Sequence, residues 1–180
     1  LLGAKVTDVD GNVEDRSGTV SVFDGPKPVL HVAAGSAAEA EYVGNWLRQI
    51  TAGDLRPEEI AIFVRSEAEI ERATAAVTNA GLAWTLLDDQ VAVKQGQVSI
   101  GTMHLAKGLE FRAVAVMACD DGILPLEARL EAVADESDLE EVYGSERSLL
   151  YVACTRARDH LIVTAATPAS EFLDDMASLA

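Results

Sequence analysis

The sequence is short of aromatic residues, of positive charge and of cysteine, and each shortage narrows what the chain can be. Aromatics make up 5% against 49% apolar residues in all, so the core is expected to be built from Ala, Val, Leu and Ile rather than around rings. Cys119 and Cys154 are the only two cysteines and lie in separate apolar segments. That predicts reduced, buried thiols and no disulfide framework. The three histidines, His31, His104 and His160, lack metal-ligand spacing, so a metal held by protein side chains alone is not expected. No apolar run approaches the roughly 20 residues needed to span a bilayer, and no basic stretch followed by a signal-type apolar run opens the chain. A cytoplasmic protein is the expectation. A Gly-x-x-x-x-Gly-Lys-Ser/Thr loop is also missing, and with it the cradle that holds nucleoside triphosphate phosphates.

Fourteen Lys and Arg face 30 Asp and Glu, a formal net charge of −16. Such a surface repels phosphate, so the chain alone is expected to bind nucleic acid weakly. The charge is unevenly spread. Asp120, Asp121, Glu127, Glu131, Asp135, Glu136, Asp138, Glu140 and Glu141 crowd one segment, whereas Lys107, Arg112, Arg147, Arg156 and Arg158 lie elsewhere. An acidic run of this kind reads first as a solvated face. At 180 residues the chain is long enough for one domain with a full core.

Residues 1–28 form a polar, turn-rich lead-in with Asp10-Gly11 and Asp24-Gly25, and a start on Leu1 reads as a piece of something longer. Asp8, Asp10 and Asn12 imitate the opening of a calcium loop, but the glycine falls at the fourth position and no Glu stands at the twelfth, so a plain turn is expected. From Val29 strand and helix patterns alternate. Apolar runs at 29–33, 60–64, 83–87, 98–102, 113–118 and 160–165 predict strands. Ser36 with Glu39, and Ser66 with Glu69, read as capping boxes opening helices that Gly53 and Gly81 close. A last helix is predicted over about 138–158. Short apolar strands separated by amphipathic helices predict an α/β fold, a parallel sheet covered on both faces.

Two segments carry the chemistry. The first, 98–125, contains Thr102-Met103-His104-Leu105-Ala106-Lys107-Gly108-Leu109-Glu110-Phe111; the second, 146–163, contains Tyr151-Val152-Ala153-Cys154-Thr155-Arg156-Ala157. Together they resemble the last two signature motifs of UvrD/Rep-type superfamily-one helicases. The resemblance implies a RecA-like parallel sheet flanked by helices over about 29–167, the second motor domain, with 168–180 left as a short tail.

By the same resemblance Arg156, read as lying on the last helix, is an arginine finger for the γ-phosphate of ATP. This role suits a side chain that is always charged and forked. Arg65, after the 60–64 strand, resembles a second γ-phosphate ligand, although Val64 stands where an adenine-stacking aromatic is common. Glu110 would accept from a ribose hydroxyl, Gly108 would permit close backbone approach, and Thr102, His104 and Lys107 would face single-stranded DNA. ATP with Mg2+ would then be shared with an N-terminal RecA-like domain of the same polypeptide that holds the phosphate loop. Only 88–97 is available for the accessory domain that UvrD and Rep insert there, which implies a compact branch. Two other readings stand beside this one: a non-catalytic interaction module on a helicase-derived fold, whose acidic spacer binds a basic partner, and a free-standing nucleotide-binding α/β protein.

Overall fold

Five successive apolar residues, Ile60–Val64, are all fully buried, which a strand achieves only where both faces of its sheet are covered. A computed structural model describes residues 5–7, 13–15, 26–88, 92–133 and 135–177. The calcium-like turn at Asp8, Asp10 and Asn12 lies largely outside the described residues. In chain order, β1 (Lys5–Thr7) and β2 (Val13–Asp15) pair antiparallel as a small sheet of their own. There follow β3 (Val29–Ala33), α1 (Ser36–Thr51), β4 (Ile60–Val64), α2 (Ile70–Asn79), β5 (Ala83–Leu86), β6 (Gln97–Thr102), β7 (Phe111–Val116), α3 (Glu127–Glu131), α4 (Glu136–Cys154), β8 (Ala157–Ala166) and α5 (Phe172–Ala177). Strands β3 to β8 form one sheet in the order β3-β8-β7-β4-β6-β5, with every pair parallel.

Alternation along the strands separates two cores. Ile60, Ile62 and Val64 face α1 and α2, meeting Val43, Leu47, Ala73 and Val77. Ala61 and Phe63 face the other way, toward Leu150 and Ala153 of α4 and Phe172 of α5. The short tail after 167 contributes to this second core: Phe172 is fully buried, 5.8 Å from Tyr143 edge to face, with the Arg147 guanidinium 4.7 Å over its ring. Gly44 is where α1 and α2 cross closely, since a Cβ there would come within 3.0 Å of the Ala76 carbonyl.

Both capping boxes are overturned. Gly35 occupies the N-cap of α1 with no side-chain cap, and Glu39 turns inward instead. Its fully buried carboxylate accepts from Thr164 Oγ1 at 2.6 Å, from the Ala118 N–H at 3.0 Å and from Arg72. Three donors, one of them charged, outweigh the single helix N–H a box would satisfy. Ser66 likewise makes no side-chain cap; a 3-10 turn at Glu67–Glu69 leads into α2, and Glu69 faces Arg72 at 3.8 Å. A side-chain cap does form at Asp135, which accepts from the Asp138 N–H at 3.0 Å at the start of α4.

The last helix also ends earlier than predicted. Thr155 is its C-cap, and Ala157 already pairs with Phe111 in the sheet. No Gly or Pro marks this stop, so an apolar helical period runs on into a strand. Arg156 therefore sits in the helix-to-strand turn and Arg158 on β8.

Candidate functional site

Because all six strands run the same way, residues that precede a strand and residues that follow one gather at opposite edges of the sheet. Glu110 precedes β7 and Arg156 precedes the neighbouring β8, so the two stand side by side at the amino edge. The Phe111 N–H donates to the Arg156 carbonyl at 2.9 Å, which extends the ladder to the turn itself. Between them opens a groove of about 810 Å³, lined also by Lys27, Thr155, Arg158, Asp159 and His160.

The Arg156 guanidinium is held by neutral oxygens. Nε donates to the Val152 carbonyl, Nη1 to the Leu109 carbonyl and Nη2 to Thr155 Oγ1, each at 3.1 Å. No carboxylate lies within ion-pair distance among the described residues. Its orientation is set while its charge is left uncompensated. Arg158, in the same groove, differs: it donates to Asp159, whose carboxyl is held at about 2 by hydrogen bonds from Arg158 and then Arg112. Among the described arginines, Arg48 alone shares the carboxylate-free state of Arg156, donating to the Asn79 carbonyl and Asn45 Oδ1.

Thr102 ends β6 and Arg65 follows β4, so these neighbours lie at the carboxyl edge, with Val64 paired to Thr102. Arg65 is 4% exposed and locked in a two-pronged pair with Glu146 of α4, Nε to Oε2 and Nη2 to Oε1, both 2.6 Å. Arg65 and Arg156, both expected to reach the γ-phosphate, thus stand at opposite edges of this sheet. A whole sheet depth separates them, and the fork of Arg65 is already occupied. His104 lies in a 3-10 turn, Met103–Ala106, against which α4 packs. Burial, then Arg65, with Arg129 as a smaller contribution, lowers its pKa below the usual 6.5, so the imidazole is neutral at neutral pH.

Lys107 and Gly108 lie exposed on the crossover from the carboxyl edge back to the amino edge. Gly108 has φ +82°, a backbone state that disfavours any Cβ, while nothing lies within 4 Å of where that Cβ would be. Its conformation, rather than crowding, calls for glycine. The crossover thus joins the two candidate regions, Thr102 and His104 at one end and Glu110 at the other.

Glu146 and Arg72 were not singled out from the sequence, Glu39 was read only as a helix cap, and Asp120 only as one acid of the solvated run. Arg72 bridges Glu39 to Asp120, with Nη1 2.6 Å from Asp120 Oδ2, and Asp120 accepts from the Ala166 N–H at 2.6 Å. Nothing in the spacing of Asp120 and Glu146 separates them from the acidic run beside them. Groups of three or more His, Cys, Asp or Glu able to hold a metal are absent among the described residues. No helix among them is long and apolar enough to cross a membrane.

A family model described as the UvrD-like helicase C-terminal domain matches residues 79–168. Over 80 residues, 44% of this chain and 10% of the relative, the chain is 40% identical to the ATP-dependent DNA helicase PcrA of Staphylococcus epidermidis. It is 43% identical over 72 residues, 40% of this chain and 10% of the relative, to the ATP-dependent DNA helicase UvrD2 of Mycobacterium tuberculosis. Among solved structures, the C-terminal domain of a "possible DNA helicase" from Lactobacillus plantarum WCFS1 matches with TM-score 0.56 and 29% identity, covering 83% of this chain and 79% of that one. The chain spans about a tenth of the length of the curated relatives it matches.

Proposed function

The chain belongs to the UvrD-like helicase C-terminal domain family, and from that premise we propose that it is the second motor domain of an ATP-dependent DNA helicase working in the cytoplasm. The observation that carries the reading is the Arg156 guanidinium, beside Glu110 in an open groove and held by neutral acceptors only. A cation aimed without being neutralised suits a ligand that brings its own negative charge. A carboxylate at the same groove, with a carbonyl-lined turn behind it, suits vicinal hydroxyls. Glu110 and Arg156 together fit a nucleoside triphosphate, and ATP with Mg2+ would supply the transferable phosphoryl group.

In this reading Glu110 accepts from the ribose and Arg156 places positive charge against the γ-phosphate as charge develops there. The N-terminal motor domain of the same polypeptide contributes the phosphate loop and the magnesium ligands that this sequence lacks. Gly108 shapes the turn that presents Glu110. Thr102, His104 and Lys107 contact single-stranded DNA, with Thr102 and His104 at the far edge of the sheet. Closure on the nucleotide and grip on the strand are then linked through one short crossover. Arg65 serves this site by holding α4 in place rather than by touching phosphate.

Magnesium-dependent ATP hydrolysis by this chain alone, and by the chain joined to the motor domain proposed to precede it, tests the reading. No turnover alone and DNA-stimulated turnover when joined is the expected outcome. Turnover by the repurified chain alone would overturn the half-site, and an inert joined protein would favour an interaction module.

A further inference from the structure

Glu146 is fully buried and receives two guanidinium groups, although Arg65 by itself occupies both of its oxygens. The second, Arg129 of α3, reaches Oε1 at 2.7 Å through Nη1 alone, and that nitrogen also donates to Ser145 Oγ at 2.9 Å. The two cations differ in more than geometry. Arg65 is sealed in, whereas the Arg129 side chain is 40% exposed. One carboxylate between two guanidiniums leaves a unit of positive charge at this spot. No other carboxylate lies within ion-pair distance of Arg129 among the described residues, although Glu127, Glu131, Asp138, Glu140 and Glu141 share its neighbourhood in sequence.

That surplus charge sits at the carboxyl edge, where Thr102 and His104 lie and where α4 packs on the His104 turn. Thr102 can offer a hydroxyl and His104, neutral at neutral pH, an N–H, so of the three residues proposed to meet the strand only Lys107, on the crossover beyond them, carries charge. A phosphate-binding edge needs a cation, because the electrostatic contribution dominates such contacts.

We infer that Arg129 binds a backbone phosphate of single-stranded DNA, exchanging its contact with Glu146 for the phosphate while Arg65 keeps Glu146 paired. The inference rests on the proposed strand contact at Thr102, His104 and Lys107. The exchange is permitted by the asymmetry of the triad. Releasing Arg129 leaves no buried charge alone, whereas releasing Arg65 would. Arg129 is then the movable cation of the edge and Arg65 its fixed support.

The test is fluorescence anisotropy of labelled oligothymidylate with this chain over a series of low salt concentrations. Arg129→Gln is expected to weaken binding about tenfold and to flatten the salt dependence by about 0.7 in log K against log salt, the share of one phosphate on a single strand. Arg129→Lys keeps the charge and should keep the slope. A merely structural role would change melting and leave the slope alone. Three results overturn the inference. If His104→Ala or Lys107→Ala weakens binding while Arg129→Gln matches wild type in affinity and slope, the strand contact stands and Arg129 is no part of it. If the wild-type chain fails to bind at low salt, the strand contact itself falls with the inference. If Arg129→Gln does not fold, Arg129 is a clamp on Glu146.

Discussion

At the carboxyl edge of the sheet Arg65 is buried against Glu146 and Arg72 half-buried against Glu39 and Asp120, while at the amino edge Arg156 lies in an open groove and donates to two carbonyls and a hydroxyl. The same side chain is used in opposite ways. Where a carboxylate fills the fork, the guanidinium has no charge left to offer and ties strand ends to helices. Where neutral oxygens fill it, direction is fixed and charge is kept for a ligand. An arginine's role is therefore to be read from its acceptors as well as from the motif around it.

The largest effect expected from this comparison is on catalysis. Arg156→Ala in the full-length protein should cut DNA-stimulated ATP hydrolysis by a factor on the order of 10³ or more, with melting close to wild type because only hydrogen bonds to neutral acceptors are lost. Steady-state hydrolysis and thermal melting measure the two. Arg158→Ala is the sharpest control, since Arg158 lines the same groove with the same formal charge but is neutralised by Asp159. It should change turnover little. Equal losses from both substitutions would break the distinction between paired and unpaired cations.

The parallel sheet was legible because its strands are short, apolar and buried on both faces, a pattern that survives in one dimension. Glu110 and Arg156 were legible through their motifs, and the sheet does bring them to one groove. The ion-pair frame was not. Glu146 stands with five other acids between Asp135 and Arg147, and only the fold decides which one faces Arg65. Glu39 fitted a capping pattern that its buried donors, Thr164, Ala118 and Arg72, draw it away from. Partners 33 to 125 residues apart leave no local trace. The end of α4 was missed for a different reason: the turn at Thr155 uses no glycine, so nothing in the sequence interrupts the helical period before β8.

Next in size is stability at the carboxyl edge. Arg65→Ala leaves the buried Glu146 carboxylate with Arg129 alone and should destabilise the domain by about 3 kcal/mol, the lower end for breaking a buried pair because one partner remains. Urea denaturation measures it. Replacing both partners, Arg65→Met with Glu146→Leu, should recover most of that loss, since a buried ion pair exchanged for apolar residues of similar size is near neutral. If Arg65→Ala instead leaves stability intact and abolishes hydrolysis, Arg65 belongs with Arg156 and the two edges are not different in kind.

The smallest effect is the pH dependence of the same carboxylate, and its sign separates scaffold from site. Burial raises the Glu146 pKa, but hydrogen bonds from Arg65 and Arg129 outweigh it, so the folded value lies below the ordinary 4.5. A carboxyl whose folded pKa is depressed contributes stability that is fully present above its unfolded value and is lost as pH falls through the folded one. Glu146→Gln should therefore cost about 2 kcal/mol at neutral pH, where a charged acceptor becomes a neutral one, and the deficit should shrink as pH drops below about 4.5. Melting of wild type and Glu146→Gln across that acid range measures the convergence. A deficit that stays constant with pH would mean that Glu146 acts through its shape and not its charge. The carboxyl edge would then be held by packing, and the contrast with the uncompensated Arg156 would lose its electrostatic basis.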